Sequence, residues 1–464
     1  MGGLFSVLQN GAGALAAFQR ALDVTQNNVS NANTPGYARQ VQPLEALAFD
    51  PAAGLTGGVE AGPLQSTRSE YAEQAVRTQL ELLGNFSAQA QSLSSIQSVF
   101  DVTGNSGIDG ALNKLFQSFS AWSAAPDDPN ARQDVLAKAQ DVATAFQDAA
   151  SALSQATQSV NQQLTSTVQQ INSLASTIRD YNVTIRQGGQ PDAGLSANLH
   201  AALESLSQQG DITARFESDG TVTVLLGGQT PLVIGDQQQN ISLNLSSGSA
   251  QVLDANGTDI TSQISQGTLG GLLSVRNTTL AALQGDGTQQ GSLNQLAQKV
   301  ADRVNQILTS GQVSVGPPAQ PGQPLFAYSA NAVASTLKLD PNITAAKLAA
   351  IAPGPPQVGN GIALALSNLG SSTNPADQIN GQNILQFYSG IAAQVGQQTA
   401  DANDGQSLHT QLVAQARSFR TQVSGVSLDQ EAAQVLEFQQ SYQAVSKMVN
   451  VIDTLTQAII AMPV

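Results

Sequence analysis

Two stripes of apolar residues, one at each end of the chain, constrain its fold more than any other feature. Both follow alternating intervals of four and three residues, the spacing that places a narrow apolar seam on one side of a helix. The N-terminal stripe consists of Leu4, Leu8, Gly11, Leu15, Phe18, Leu22, Thr25 and Val29. The C-terminal stripe consists of Val435, Phe438, Tyr442, Val445, Val449, Ile452 and Ile459. Each stripe needs a partner helix, so both ends are predicted to form coiled-coil helices.

The stripes alone do not fix the partner of each terminal helix, because the same spacing serves a hairpin within one chain and packing between chains. Other faces of the two helices carry further apolar residues, among them Val7, Val24, Met448 and Leu455. Apolar residues on several faces indicate burial on more than one side, as in a polymer. We therefore predict that both kinds of pairing coexist, and that the large residues of the two stripes form an assembly interface.

The chain between the stripes alternates between helical and strand patterns. Helical spacing dominates residues 66–210, where the proline-free run 131–186 predicts a rod of roughly 80 Å. The period changes to two around Ile212, and Asp219-Gly220 is typical of a hairpin turn. Helical spacing then resumes, interrupted by a proline-rich stretch. The fold class is therefore predicted to be mainly α with a smaller β-containing region.

These patterns predict a nested, multi-domain chain whose termini lie together and whose middle lies outermost. The predicted regions are a terminal coiled-coil domain with an extended segment (1–65 and 425–464), a helical rod domain (66–210, 270–310 and 376–424), a β-containing outer region (211–269) and a loop-rich insertion (311–375).

Composition argues against several classes of partner. The net charge of -15 comes without a cluster of Lys or Arg residues, so nucleic acid is not an expected partner. No run approaches 18 consecutive apolar residues, and the N-terminus lacks the pattern of a cleaved secretory signal, so membrane insertion is not expected either.

The residues that usually carry chemistry are sparse. Cys is absent, and the two histidines, His200 and His409, stand in no metal-binding spacing. His409 follows Asp404 by five residues, which does not place both on one helical face. His409 is interpreted as packed or solvated, and no catalytic residue, cofactor or metal site is predicted.

The N-terminal stripe ends in an Asn-rich turn. Asn and Ser compete for backbone hydrogen bonds, and Pro-Gly favours a turn, so the helix is predicted to stop within residues 27–37. This run resembles the N-terminal signature of flagellar rod, hook and hook-associated proteins, which the chain matches at Asn28, Asn31, Asn33, Thr34, Pro35, Gly36 and Tyr37.

The C-terminal end narrows the resemblance. Residues 423–431 and 438–444 are similar to the end of the hook-associated protein 1 family, and residues 130–133, 171–175 and 267–276 are similar to its internal segments. One departure is residues 195–203, which replace a more polar stretch usual in that family. A helix is still predicted there, but without the polar contacts that are usual in that family.

The resemblance implies a non-enzymatic structural subunit that joins the flagellar hook to the filament. The implied partners are further copies of the chain in a ring on the hook, the hook protein, hook-associated protein 3 and an export chaperone. The implied location is extracellular, reached through the flagellar type III channel without a cleaved signal peptide. A hook or distal rod subunit is the alternative interpretation, and a secreted hydrolase is a more distant one.

Overall fold

A computed structural model describes residues 2–50, 55–100, 106–189, 192–246, 248–316 and 318–460. The helices of this part of the chain are α1 (Gly2–Ser30), α2 (Glu70–Gln97), α3 (Gly107–Ala124), α4 (Pro129–Arg186), α5 (Ala193–Gln209), α6 (Gly267–Ser274), α7 (Ala281–Gln284), α8 (Ser292–Thr309), α9 (Val333–Thr336), α10 (Gly361–Ser367), α11 (Ile384–Ser424) and α12 (Leu428–Ile460). A π-helical segment, Val275–Leu280, joins α6 to α7.

The strands are short and pair antiparallel throughout the described residues. They are β1 (Gln40–Val41), β2 (Leu44–Ala46), β3 (Phe49–Asp50), β4 (Leu55–Thr56), β5 (Val59–Ala61), β6 (Gln65–Ser66), β7 (Ile212–Phe216), β8 (Val222–Leu226), β9 (Thr230–Ile234), β10 (Gln237–Gln238), β11 (Ser242–Asn244), β12 (Gln251–Leu253), β13 (Gln312–Ser314), β14 (Gln320–Pro321), β15 (Phe326–Ala327) and β16 (Lys338–Leu339). The predicted fold class, mainly α with a smaller β-containing region, is confirmed.

The body of the molecule is organised around α4, a helix of 58 residues and about 87 Å. Pro129 occupies the first turn of α4, where a proline costs no hydrogen bond. The Asp128 side chain caps the same end of the helix. Its buried stripe, which includes Leu153, Leu164 and Ile171, packs into one hydrophobic cluster that extends from α2 to α11. The proline-free run 131–186, predicted as a rod, therefore lies within this one helix.

The helices α2 and α11 pair antiparallel beside α4. Tyr71 near the start of α2 meets Phe419 near the end of α11, with ring centroids 6.4 Å apart. Further along, Phe86 stacks on His409 at 5.3 Å, and the His409 Nδ1 lies 3.0 Å from the Gln79 Oε1. His409 thus has a packing role, in line with its interpretation from the sequence.

The β-containing region rests on the second half of α4. Strands β7 to β10 form a four-stranded antiparallel sheet, and its first hairpin turns at Gly220, which adopts a φ of 82°. The Asn182 amide of α4 donates to the carbonyl of Val222, and the Val222 N–H donates to the Asn182 Oδ1. Sheet residues such as Val224 belong to the same hydrophobic cluster as α4. The domain limits predicted from the sequence stay a prediction.

The segment after α1, predicted as extended, folds back on itself as a long hairpin. Its pairs are β1 with β6, β2 with β5, and β3 with β4. The hairpin runs along α1, because a Cβ built on Gly13 would lie 3.9 Å from the carbonyl oxygen of Val59. Helix α1 is therefore covered by this hairpin as well as by a partner helix.

Candidate assembly site at the paired terminal helices

The two terminal helices pair antiparallel within the chain. Near the end of α1, the Asn28 Nδ2 lies 3.0 Å from the Glu431 Oε2 in the first turn of α12. Near the start of α1, a Cβ built on Gly11 would lie 2.6 Å from the Val449 Cγ2. Later residues of α1 contact earlier residues of α12, so the two helices run antiparallel. We call this pair the terminal hairpin; at one of its ends, Asn28 of α1 lies beside Glu431 of α12.

The buried side of α1 consists mainly of small and polar residues: Gly11, Ala14, Ala17, Ala21, Thr25 and Asn28. Of the predicted stripe, Gly11, Leu22 and Thr25 are buried, Leu8, Leu15 and Phe18 are half-buried, Val29 is exposed, and the side chain of Leu4 lies outside the described part of the chain. Small residues let the backbones approach closely, so the bulkier side chains lie at the edges of the contact.

The predicted stripe of α12 lies mostly along its contact with α1. Val435, Phe438, Tyr442, Val445, Val449 and Ile452 are half-buried, whereas Ile459 is exposed. Half-burial leaves part of each side chain available to other chains. Contact of either stripe with neighbouring chains stays a prediction.

We expect Gly11→Ala to weaken the pairing of the terminal helices by about 1–2 kcal/mol, because the new methyl group overlaps Val449. Gly13→Ala is the matched control, since its Cβ would meet only an ordinary contact at 3.9 Å. That control should stabilise α1 by up to about 1 kcal/mol through helix propensity. Thermal unfolding of the helix pair, monitored by hydrogen exchange, measures the change in stability of each variant. Equal changes in the two variants would contradict the close approach at Gly11.

Asn28 is the centre of a buried polar cluster that joins the ends of α1 and α12, here called the clasp (Asn28, Tyr37, Arg39, Glu431 and Gln434). The Asn28 amide donates to the carbonyl of Gln40 at 2.8 Å and to Glu431. Its oxygen accepts from the Gln40 N–H and the Tyr37 hydroxyl, both at 2.9 Å. All four hydrogen-bonding positions of the amide are filled, so aspartate or leucine would leave partners unpaired.

Glu431 carries the negative charge of the clasp and is 0% exposed. Its Oε1 accepts from the Arg39 Nε at 2.5 Å, and the Arg39 Nη2 donates to the Gln434 Oε1 at 3.0 Å. Burial, with a smaller effect of Glu431, raises the pKa of Tyr37, so its hydroxyl keeps the proton it donates. A buried carboxylate of this kind is stable only with such partners.

The rest of the signature turn shapes the chain between α1 and the clasp. The Asn31 Oδ1 accepts from the Thr34 hydroxyl at 3.1 Å, and the Tyr37 N–H donates to the carbonyl of Thr34 at 3.1 Å. Asn33, Thr34 and Pro35 are exposed. Gly36 adopts a φ of 74°, and a Cβ there would lie 2.3 Å from the carbonyl oxygen of Ala197 in α5. The turn therefore also docks the terminal hairpin on the body.

The three chain segments that connect the paired terminal helices to the body meet at Ser424. The Arg39 N–H donates to the carbonyl of Ser424 at 3.0 Å, and the Ser69 N–H donates to its hydroxyl at 3.0 Å. The Thr67 N–H donates to the carbonyl of Arg39. Sequence reasoning missed Ser424 and the roles of Arg39 and Glu431, because no local pattern marks residues that pair across the whole chain.

A second charged cluster lies next to this crossing. Glu73, which is 2% exposed, accepts from Arg68 and, at 3.2 Å, from the Arg420 Nη1. Arg420 also pairs with Glu204 of α5, which accepts from Arg417 at 3.3 Å. These ion pairs connect α2, α5 and α11 at the place where the signature turn (residues 27–37) docks. Three helices of the body therefore hold the adjoining end of the paired terminal helices.

Two titratable groups beside this cluster make the stability depend on pH. Burial, and then nearby arginines, lower the pKa of His200 to about 2, and the ring stacks on Phe216 at 5.5 Å. Burial raises the pKa of Glu81 to about 8, although a hydrogen bond from the Ile212 N–H opposes the shift. The folded chain thus disfavours protonated His200 and ionised Glu81.

Glu81 lowers stability as pH rises from 4.5 towards 8, because the unfolded chain releases the proton that folded Glu81 keeps. His200 lowers stability as pH falls below 6.5, because the unfolded chain takes up a proton that folded His200 refuses. The two effects oppose each other between pH 4.5 and 6.5, so we expect the loss with rising pH to show from 6.5 towards 8. Glu81→Gln should remove the first loss, which is at most about 1.4 kcal/mol per pH unit. Urea unfolding at several pH values measures it; identical profiles for variant and wild type would contradict the assignment.

Other kinds of site are not evident in the described residues. No group of three or more histidines and carboxylates there could hold a metal ion. No described helix is both long and apolar enough to cross a membrane.

Models of known protein families match both the helical body and the two terminal segments of the chain. The family model "Flagellar hook-associated protein FlgK helical domain" matches residues 93–326. Models of "Flagella basal body rod protein" and "Flagellar basal body rod FlgEFG protein C-terminal" match residues 8–37 and 417–462. The first contains Asn28 and Tyr37 of the clasp, and the second contains Glu431 and Gln434.

Individual relatives point the same way. The flagellar hook-associated protein 1 of Bacillus subtilis is 28% identical over 98% of both chains. That of Salmonella typhimurium is 26% identical over 29% of this chain and 24% of its own. The structure of the flagellar hook junction protein FlgK from Burkholderia pseudomallei matches in fold with a TM-score of 0.64, at 18% identity, over 76% of this chain and 100% of that one. The family predicted from the signature turn and the C-terminal stretch is confirmed: the chain belongs to the family of the flagellar hook-associated protein FlgK.

Proposed function

We propose that this chain is a structural, non-enzymatic subunit of the bacterial flagellum that joins the hook to the filament and assembles through its paired terminal helices. The observation that carries the proposal is an apolar stripe on α12 that borders the contact with α1. Met448, Val451, Leu455 and Ile459 are spaced by three and four residues and are 46–59% exposed. An exposed apolar stripe of this kind is typical of a surface that is covered on assembly.

The relatives support the junction over other positions along the flagellum. The Bacillus subtilis protein named hook-associated protein 1 aligns over 98% of both chains, and the family model of the helical domain covers the middle. The ends match models of rod proteins, which is expected if terminal helices are a common assembly device of the axis. A hook or rod subunit explains the ends but not the middle.

The proposal extends to partners and location. Copies of the chain form a ring on the hook and contact the hook protein on one side and hook-associated protein 3 on the other. An export chaperone holds the chain before passage through the flagellar type III channel, and the chain acts outside the cell without losing a signal peptide. Within it, residues 1–65 and 425–464 form the assembly domain, and residues 211–269 project outward.

Deletion of the gene should leave complete hooks without filaments, with filament subunits released into the medium. Restoring the wild-type gene should restore filaments, whereas Leu455→Asp should not, because it places a charge in the exposed α12 stripe. Asn450→Asp is the matched control: it is exposed on another face of α12 and adds the same charge. Electron microscopy of the cells gives the result, and filaments in the deletion strain would refute the proposed function.

A further inference from the structure

The middle of α4 presents a long surface without any charge. No Asp, Glu, Lys or Arg occurs from residue 149 to residue 178, although the chain as a whole has a net charge of -15. The twelve exposed residues of this stretch, from Ser151 to Thr177, are all Gln, Ser or Thr. We call this surface, about 45 Å long, the neutral face.

The same helix carries charges at both ends. Asp134, Lys138 and Asp141 precede the neutral face, and Arg179 and Asp180 follow it. Lys138 and Asp141 form an exposed ion pair with an N–O distance of 3.4 Å. Charged pairs at this spacing stabilise a helix that faces water, so their absence from the middle needs a separate reason.

Polar side chains along the neutral face form a series of steps, each a glutamine hydrogen-bonded to a serine one helical turn earlier. The Nε2 atoms of Gln155, Gln163 and Gln170 each donate to the hydroxyl of a serine four residues earlier, at 3.3–3.4 Å. Gln158, Gln162 and Gln169 lie between these steps and form no side-chain hydrogen bond within the described residues. Their amides can both donate to and accept from a neighbouring surface.

We propose that the neutral face is the surface on which a second copy of this chain packs when the subunits assemble. Burying an amide or a hydroxyl that finds a partner costs far less than burying a charge, and interface cores are depleted of charged residues. An identical copy is as acidic as the first, so a charge-free surface removes the repulsion that would oppose side-by-side packing. This inference rests on the proposed function, which brings identical copies together.

Photo-cross-linking tests the contact directly, because the chain contains no cysteine. Gln162→Cys, labelled with benzophenone maleimide in cells whose filaments it restores, should give an adduct of two copies of this chain on illumination. Gln140→Cys, exposed on the charged part of the same helix, is the control and should give none. Thr165→Cys, one turn further along, serves if Gln162→Cys does not restore filaments.

The outcomes separate the two proposals. An adduct with a different protein, or no adduct from either position on the neutral face, overturns the inference while restored filaments leave the proposed function standing. A second readout is the pair Gln158→Glu and Gln169→Glu, which should sharply lower the number of filaments per cell. The pair Gln133→Glu and Gln140→Glu adds the same charge outside the neutral face and should leave that number unchanged, so equal numbers for both pairs also overturn the inference.

Discussion

Replacement of Glu431 by alanine is expected to weaken the attachment of the terminal helices by about 3–5 kcal/mol, the usual cost of removing one partner from a buried ion pair. Glu431 is 0% exposed and accepts hydrogen bonds from both Arg39 and Asn28. Its loss leaves a guanidinium group and an amide without their acceptor. The terminal hairpin should therefore open while the body stays folded.

Hydrogen exchange measured segment by segment distinguishes this local effect from general unfolding. Amides of α1 and α12 should lose protection in Glu431→Ala, and those of α4 should keep it. Glu437→Ala is the control, because Glu437 is exposed on the same helix. Equal protection of α1 in the two variants would show that the clasp does not hold the helices.

Gly36→Ala is the second change with a large expected effect, about 3–5 kcal/mol in the free energy of unfolding. Gly36 adopts a φ of 74°, where alanine is strained, and its Cβ would lie 2.3 Å from the carbonyl oxygen of Ala197. Backbone of α5 cannot move aside as a flexible side chain could. The signature turn should lose its docking on the body.

Gly188→Ala separates the strain from the collision. Gly188 has a φ of 85° but nothing within 4 Å of a built Cβ, so this variant suffers only the conformational cost, roughly 1–2 kcal/mol. Denaturant unfolding of both variants gives the comparison. If the two losses were equal, Gly36 would matter for its conformation alone.

Much of the helical architecture could be predicted because helical period survives in a chain with few charges. Helix α4 contains the whole predicted rod, residues 131–186, and the hairpin turn at Gly220 lies where Asp-Gly indicated it. The nested hairpin of residues 40–66 could not be predicted, since its strands are two or three residues long and show no period. How closely the β-containing region packs on the body could not be predicted either, because the sequence does not show that the two share one hydrophobic cluster.

The candidate site was only half visible in the sequence. The stripes indicated which segments pair, but only part of the face of α1 that meets α12. Gly11 belongs to the predicted stripe, whereas Ala14 and Ala17, which are also buried, contribute little to an apolar pattern. The clasp was hidden for a different reason. Asn28 and Glu431 are 403 residues apart, and an isolated glutamate in a sequence is usually exposed.

A density map of the hook-filament junction at side-chain resolution tests the central claim most directly. We expect a ring of this chain between hook and filament, with α1 and α12 of each copy antiparallel and the Glu431 carboxylate within hydrogen-bond distance of Asn28 and Arg39. A junction without this chain, or one in which the terminal helices of each copy are separated, would contradict the account.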